Sequence, residues 1–344
     1  MFPNRKEPFN MRLSKKWIAG TLAFVLILSA TIAGCAMGKD NKEEEQTAGA
    51  MEFQPLDTTS KKVVAEYKGG KVVEGDLNRY INIIAYLDPQ LSFMMSSIKD
   101  NQELKTELAK EYAARQYMLT KIKDDASFAK QADETIKQIE EGLKQQAGQE
   151  QGQNNPQTLD EAIKGKGFDK TQLRQFFVEY HRVNEYYDEQ LKGQTYDYVK
   201  VQHVLVSIND GSQQDQPKRT EEQAKKRAEE VKKKLDDGGD FAKLVKEYSD
   251  DPGSKDSNGV YEGTPDQFVP EFAKACRELP LNQISDPIKT DYGFHIVKVL
   301  DRGKKPVDEA DEQVKMQKRQ EVYDQLVKEE LGFKSLLSND QKGS

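Results

Sequence analysis

Two short segments rich in β-branched residues, Tyr198 to Val206 and Gly293 to Val299, each carry a histidine and stand about ninety residues apart in this chain of 344. Alternation along a strand puts His203 on one side with Val201 and Leu205, and His295 on one side with Val297 and Val299. Both imidazoles are therefore expected to point into a core. The chain has only three histidines, so two of them framing one compact stretch point to a shared site.

The stretch between them reads as helices laid on a small sheet. Thr220-Glu-Glu-Gln223 has the form of a capping box, followed by Ala224, Ala228, Val231 and Leu235 at helical spacing. Gly238-Gly239 stops that helix and Asp240 caps a second, with Phe241, Leu244, Val245 and Tyr248 inward. Pro270 suits the first turn of a third helix carrying Phe272, Cys276 and Leu279. The order strand, helix, helix, long loop, helix, strand, strand predicts an α+β domain over 194–305.

The flanks differ. Val63 to Val73, with Gly69-Gly70 at its centre, reads as a hairpin, and helical sequence starts at Gly75-Asp76. Leu104, Leu108 and Tyr112 mark one helical stripe, and Leu173, Phe176, Phe177, Tyr180, Val183 and Tyr187 another. Gln145 to Pro156 is Gln/Gly/Asn-rich and reads as a loop. Val322, Leu326, Phe333 and Leu337 supply an amphipathic C-terminal helix over 306–344, which is expected to dock on the helical region 61–193. The small-sheet domain is thus inserted into a mainly helical domain built from both parts of the chain.

At the N-terminus, Met11-Arg-Leu-Ser-Lys-Lys16 is basic, and Trp17 to Ile32 is apolar but shorter than the roughly 20 residues of a spanning helix. Residues 1–34 read as a signal peptide, the part before Met11 as an upstream start. Ile32-Ala-Gly-Cys35 resembles a bacterial lipobox, which implies a lipid on Cys35 and an anchor at the outer face of a cell membrane, as in a Gram-positive bacterium. Residues 35–60, with a Glu-rich run, read as a tether. With Cys35 lipidated, Cys276 stands alone and no intramolecular disulfide is available. A formal charge of −7 without a basic block gives no nucleic-acid signature, and neither a phosphate loop nor metal-ligand spacing is present. No cofactor and no metal is expected, and His181, on the polar flank of its helix, is read as surface.

Five pieces in order carry a resemblance: Val201-Gln-His203-Val-Leu205, Asp240-Phe-Ala-Lys-Leu244, Tyr248-Ser-Asp-Asp-Pro-Gly-Ser254, Phe268-Val-Pro-Glu-Phe272 and Ile288-Lys-Thr-Asp-Tyr-Gly-Phe-His-Ile-Val297. Together they resemble the parvulin-type peptidyl-prolyl isomerases, over about a third of the chain. With the lipobox and the helical flanks, the whole is similar to PrsA-type extracytoplasmic foldases, the helical domain also to that of SurA. The resemblance implies isomerisation of X-Pro bonds in unfolded or partly folded secreted proteins. It implies a catalytic set of His203, Asp251, His295 and Thr290, with Phe268 and Phe272 forming the proline pocket. Asn258-Gly-Val-Tyr-Glu-Gly263 departs from the family's Gly-Gly-Asp-Leu-Gly-Trp/Phe, so the pocket rim differs. A non-catalytic holdase with a degenerate isomerase domain is the alternative, and pairing of two copies through the helical domain stays open. A solute-binding lipoprotein would need two similar α/β lobes, which the long helical stretches do not supply.

Overall fold

The computed structural model describes residues 53–88, 91–92, 95–149, 156–209 and 218–337. The segment read as a signal peptide, Cys35 and the Glu-rich run lie outside the described residues. In chain order the elements are β1 (Val63–Tyr67), β2 (Gly70–Val73), α1 (Glu74–Leu87), α2 (Met95–Asp100), α3 (Gln102–Leu119), α4 (Ala126–Gln149), α5 (Leu159–Ile163) and α6 (Lys170–Leu191). They continue with β3 (Thr195–Ser207), α7 (Glu221–Asp236), α8 (Phe241–Tyr248), β4 (Val260–Gly263), α9 (Pro270–Glu278), β5 (Ile288–Thr290), β6 (Gly293–Pro306), α10 (Glu312–Leu326) and β7 (Lys334–Ser335). Among the described residues no helix is long and apolar enough to cross a membrane.

The chain divides into two compact units, one formed by the residues up to Gln190 together with those from Met316, the other by Leu191–Lys315. The first is mainly helical. Its core gathers Leu77, Ile81 and Ile84 of α1, Leu108 and Met118 of α3, Leu173 and Phe177 of α6, and Leu326 and Leu331 from the C-terminal part. A sheet of order β2-β1-β7 completes it, so the hairpin read at Val63 to Val73 takes on a third strand from the far end of the chain.

Four local readings are corrected here. The C-terminal helix does not run on through Phe333 and Leu337: after a π-helical turn at Val327–Leu331, Gly332 adopts φ 57° and the chain leaves as β7. Phe333 and Leu337 still pack on the same core, from either side of β7. The loop expected from Gln145 begins later, because α4 continues to Gln149. Residues 53–60, placed in the tether by composition, are tied down: the Asn82 amide takes Leu56 N–H at 2.8 Å and gives to Leu56 C=O at 3.0 Å, and Asn78 gives to Asp57 C=O at 2.6 Å. His181 is half-buried against Tyr180, and burial lowers its pKa.

The second unit is a four-stranded antiparallel sheet of order β4-β3-β6-β5. The long β3 and β6 form its centre and pair through thirteen positions, with a shift of register after Lys200. Each face of β3 has its own core. Val204 and Val206 turn to α7 and α8, meeting Ala224, Ala228, Val231, Leu244 and Val245. Val199 and Val201 turn the other way, with Val297 and Val299 of β6, onto Phe272 and Cys276 of α9. That both faces are covered explains why β3 reads as a nearly continuous apolar run from Val204 to Val206 rather than as simple alternation.

The helices start where the sequence marks them. The Thr220–Gln223 capping box is formed in both directions, the Asp240 carboxylate accepts from Lys243 N–H at 2.9 Å, and Pro270 occupies the first turn of α9. Helix α9 ends on Arg302 of β6, whose guanidinium donates to Cys276 C=O at 3.1 Å and Leu279 C=O at 2.8 Å. Those carbonyls would otherwise lack partners at a buried helix end. Strand β4 was not anticipated; it comes from the divergent Asn258–Gly263 stretch and pairs Val201 with Tyr261.

Candidate active site

In the β3–β6 register His203 faces Val297 and His295 faces Leu205, so the two histidines are diagonal neighbours on one face of the sheet. Their rings stack with centroids 5.7 Å apart and planes inclined by 21°. Phe272 of α9 stands edge-on to both, 5.3 Å from His203 and 5.1 Å from His295. Phe268 continues the cluster 5.1 Å from Phe272, and Tyr261 of β4 meets Phe268 at 5.6 Å. An unbroken series of rings thus runs from buried imidazoles to Tyr261, which is 41% exposed.

Asp251 reaches the pair from the turn after α8. That turn is fastened to β3: Asp250 N–H donates to Leu205 C=O at 2.8 Å, and the Ser249 hydroxyl accepts from Leu205 N–H and Asp251 N–H, both at 3.3 Å. The Asp250 carboxylate adds Ser207 N–H and Oγ at 3.0 Å and Arg219 at 2.6 Å. Held there, Asp251 Oδ2 is 3.1 Å from His203 Nε2. Hydrogen bonding from His203, joined by Ser254 and Gly253 N–H, pushes the Asp251 pKa well below the usual carboxylate value despite partial burial. The group is an anion.

Thr290 of β5 meets the second histidine. Its Oγ1 lies 2.9 Å from His295 Nε2, accepts from Tyr292 N–H at 3.2 Å and is 3.4 Å from Gly293 C=O. Burial first, then proximity to His203, pushes the His295 pKa down to about 3, so this imidazole is neutral at ordinary pH. Gly293 makes the tight β5–β6 turn possible: its φ is 141° and a Cβ there would lie 2.2 Å from Val206 O.

All six residues singled out from the sequence therefore meet in one place: His203, His295, Asp251, Thr290, Phe272 and Phe268. Sequence reasoning missed Ser254, which is fully buried and touches both His203 Nε2 and Asp251. Its signal was present in the Asp251-Pro-Gly-Ser254 spacing, since a tight turn returns its fourth residue to its first.

Comparison with known proteins follows the same line. The family described as the PPIC-type PPIase domain matches residues 189–303. A Parvulin-like PPIase of Rickettsia conorii is 32% identical over 256 residues, covering 72% of this chain and 75% of that protein. This chain belongs to the parvulin-type peptidyl-prolyl cis-trans isomerases. Within that family it is PrsA-like. A Foldase protein PrsA of Clostridium botulinum (strain 657 / Type Ba4) is 26% identical over 328 residues, covering 82% of this chain and 90% of that protein. A Foldase protein PrsA of Geobacillus sp. (strain WCH70) is 46% identical over 101 residues; the match takes in 29% of this chain and 37% of that protein's length.

Proposed function

We propose that this parvulin acts as an extracytoplasmic foldase, held to the membrane by a lipid on Cys35, that isomerises X-Pro bonds in secreted proteins as they fold. An X-Pro bond has only a slight trans preference, about 0.5–1 kcal/mol, but a rotation barrier near 18–20 kcal/mol from amide resonance. Catalysis needs nothing more than a less stable planar amide relative to the twisted one. No proton has to leave and no nucleophile has to attack.

Three groups divide the work. Phe268 and Phe272 receive the pyrrolidine ring in apolar surroundings, which favour the twisted amide because it separates less charge. Asp251, an anion, faces the substrate carbonyl and opposes the negative charge that resonance places on that oxygen; with water thinned out by the aromatic groups, this acts through a lower dielectric. His203, His295 and Thr290 hold Asp251 and the pocket floor in place. The observation that carries this reading is the approach of His203 Nε2 to Asp251 Oδ2 at 3.1 Å, beside the Phe272 ring.

The test is a proline-limited peptide isomerisation assay on the protein and on Asp251→Asn, which keeps shape and removes charge. A drop of about ten-fold or more in kcat/KM, with the fold intact, is expected. Unchanged turnover in Asp251→Asn would remove the electrostatic mechanism. Absence of acceleration by the unmodified protein, with aggregation of an unfolded client still suppressed, would establish the holdase alternative instead.

A further inference from the structure

We infer that Ser254 is a positioning residue of the isomerase site, its hydroxyl donating to Asp251 and accepting from His203 Nε2–H, so that it sets the carboxylate's direction and the proton's place on the imidazole together. The inference rests on the isomerase reading above and adds to it the residue that holds the anion still.

Hydrogen-bond accounting leads there. Ser254 Oγ has one proton, and its neighbours are Asp251 Oδ2 and His203 Nε2, the latter at 2.9 Å. An ionised carboxylate can only accept, so the hydroxyl proton goes to Asp251. Ser254 Oγ must then accept from His203, which requires the proton on Nε2. The same Nε2–H lies 3.1 Å from Asp251 Oδ2, closing a three-membered ring of contacts. His203 Nδ1 is buried and has no hydrogen-bond partner among the described residues, so the ring is held from its Nε2 side.

A turn role alone does not explain the hydroxyl. Ser254 precedes the short 3-10 turn Lys255–Ser257, where a serine side chain would ordinarily cap the following N–H groups, yet it makes no such bond. The turn is maintained by other atoms: Ser254 C=O accepts from Gly259 N–H at 2.8 Å and from the Ser257 hydroxyl at 2.9 Å. The side chain is turned inward, fully buried, onto the two functional groups.

The experiment pairs nitrogen NMR of the imidazoles in the unmodified full chain with kinetics of Ser254→Ala. Expected in the unmodified protein is a proton on Nε2 of His203. In Ser254→Ala the His203 Nε2 signal shifts as one of its two acceptors is lost, and kcat falls about ten-fold while KM for a proline peptide changes little. A His203 protonated at Nδ1 alone in the unmodified protein overturns the inference, and decides it even if Ser254→Ala does not fold. Unchanged kcat and unchanged imidazole signals in a folded Ser254→Ala overturn it too. If Asp251→Asn keeps full turnover, the electrostatic reading fails instead, whatever Ser254 does to the tautomer.

Discussion

Phe268 and Phe272 differ in burial, and the difference separates two kinds of contribution. Phe272 is 6% exposed and wedged between two histidines and the α9 core, whereas Phe268 is half-buried with a face left toward solvent. Phe268→Ala should therefore act on substrate more than on stability: KM for a proline peptide rises about five- to ten-fold, the worth of one aromatic contact, with a melting temperature shift of only a few degrees. Steady-state kinetics with calorimetry checks both. His295 gives a pH dependence. Its folded pKa is near 3 against an ordinary 6.5, so between those values the unfolded chain takes up a proton that the folded chain refuses. Stability falls as pH drops through this window, by up to about 1.4 kcal/mol per pH unit for one proton. Asp251 adds to the loss only further down, below the ordinary carboxylate pKa, because its own is depressed. Thermal unfolding from pH 7 to 4 should show this slope, and His295→Phe should flatten it. The histidine pair was legible because strand alternation is a strict rule, which carries each imidazole to a known face. For Ser254 the spacing signals only a turn back toward Asp251; that its hydroxyl also meets His203 depends on dihedral angles that composition leaves open.

At the level of elements, the loop between α8 and β4 hinges on Gly259. Its φ is +80°, and a Cβ would sit 2.4 Å from His203 O and 2.6 Å from Val245 Cγ2. Gly259→Ala must push the loop from β3 and with it the turn carrying Asp251. A destabilisation of about 2 kcal/mol or more is expected, with turnover falling beyond what stability explains; denaturant unfolding and the peptide assay measure the two. Helices α7, α8 and α9 were legible from caps and periodicity, since their start signals are local side-chain chemistry. Strand β4 was not: four residues carry no readable alternation, and its existence depends on the neighbouring β3. The C-terminal segment teaches the converse. Val322, Leu326, Phe333 and Leu337 fit helical spacing and all pack on one core, yet Gly332 breaks the helix and the last two flank the short strand β7. Spacing recorded burial there, and the backbone conformation was decided by a left-handed glycine and by a free edge on β1.

For the whole molecule, the helical unit needs both ends of the chain while the isomerase unit is continuous. A chain ending at Lys315 lacks β7 as well as Leu326 and Leu331, which are 2% and 0% exposed. Such a truncation should cost the helical unit its cooperative unfolding, and leave peptide isomerisation within about two-fold of the full chain, because domains with their own core fold alone. Calorimetry, expected to lose one transition, and the peptide assay check this. The three-stranded sheet also imposes an order in time. A polypeptide made from its N-terminus presents β1 and β2 long before β7 exists, whereas β3 and β6 are both available once residue 306 has emerged. The sheet of the isomerase unit can thus close while its companion unit still waits for a last strand, so whatever unravels the C-terminal residues undoes the part of the molecule that was finished last.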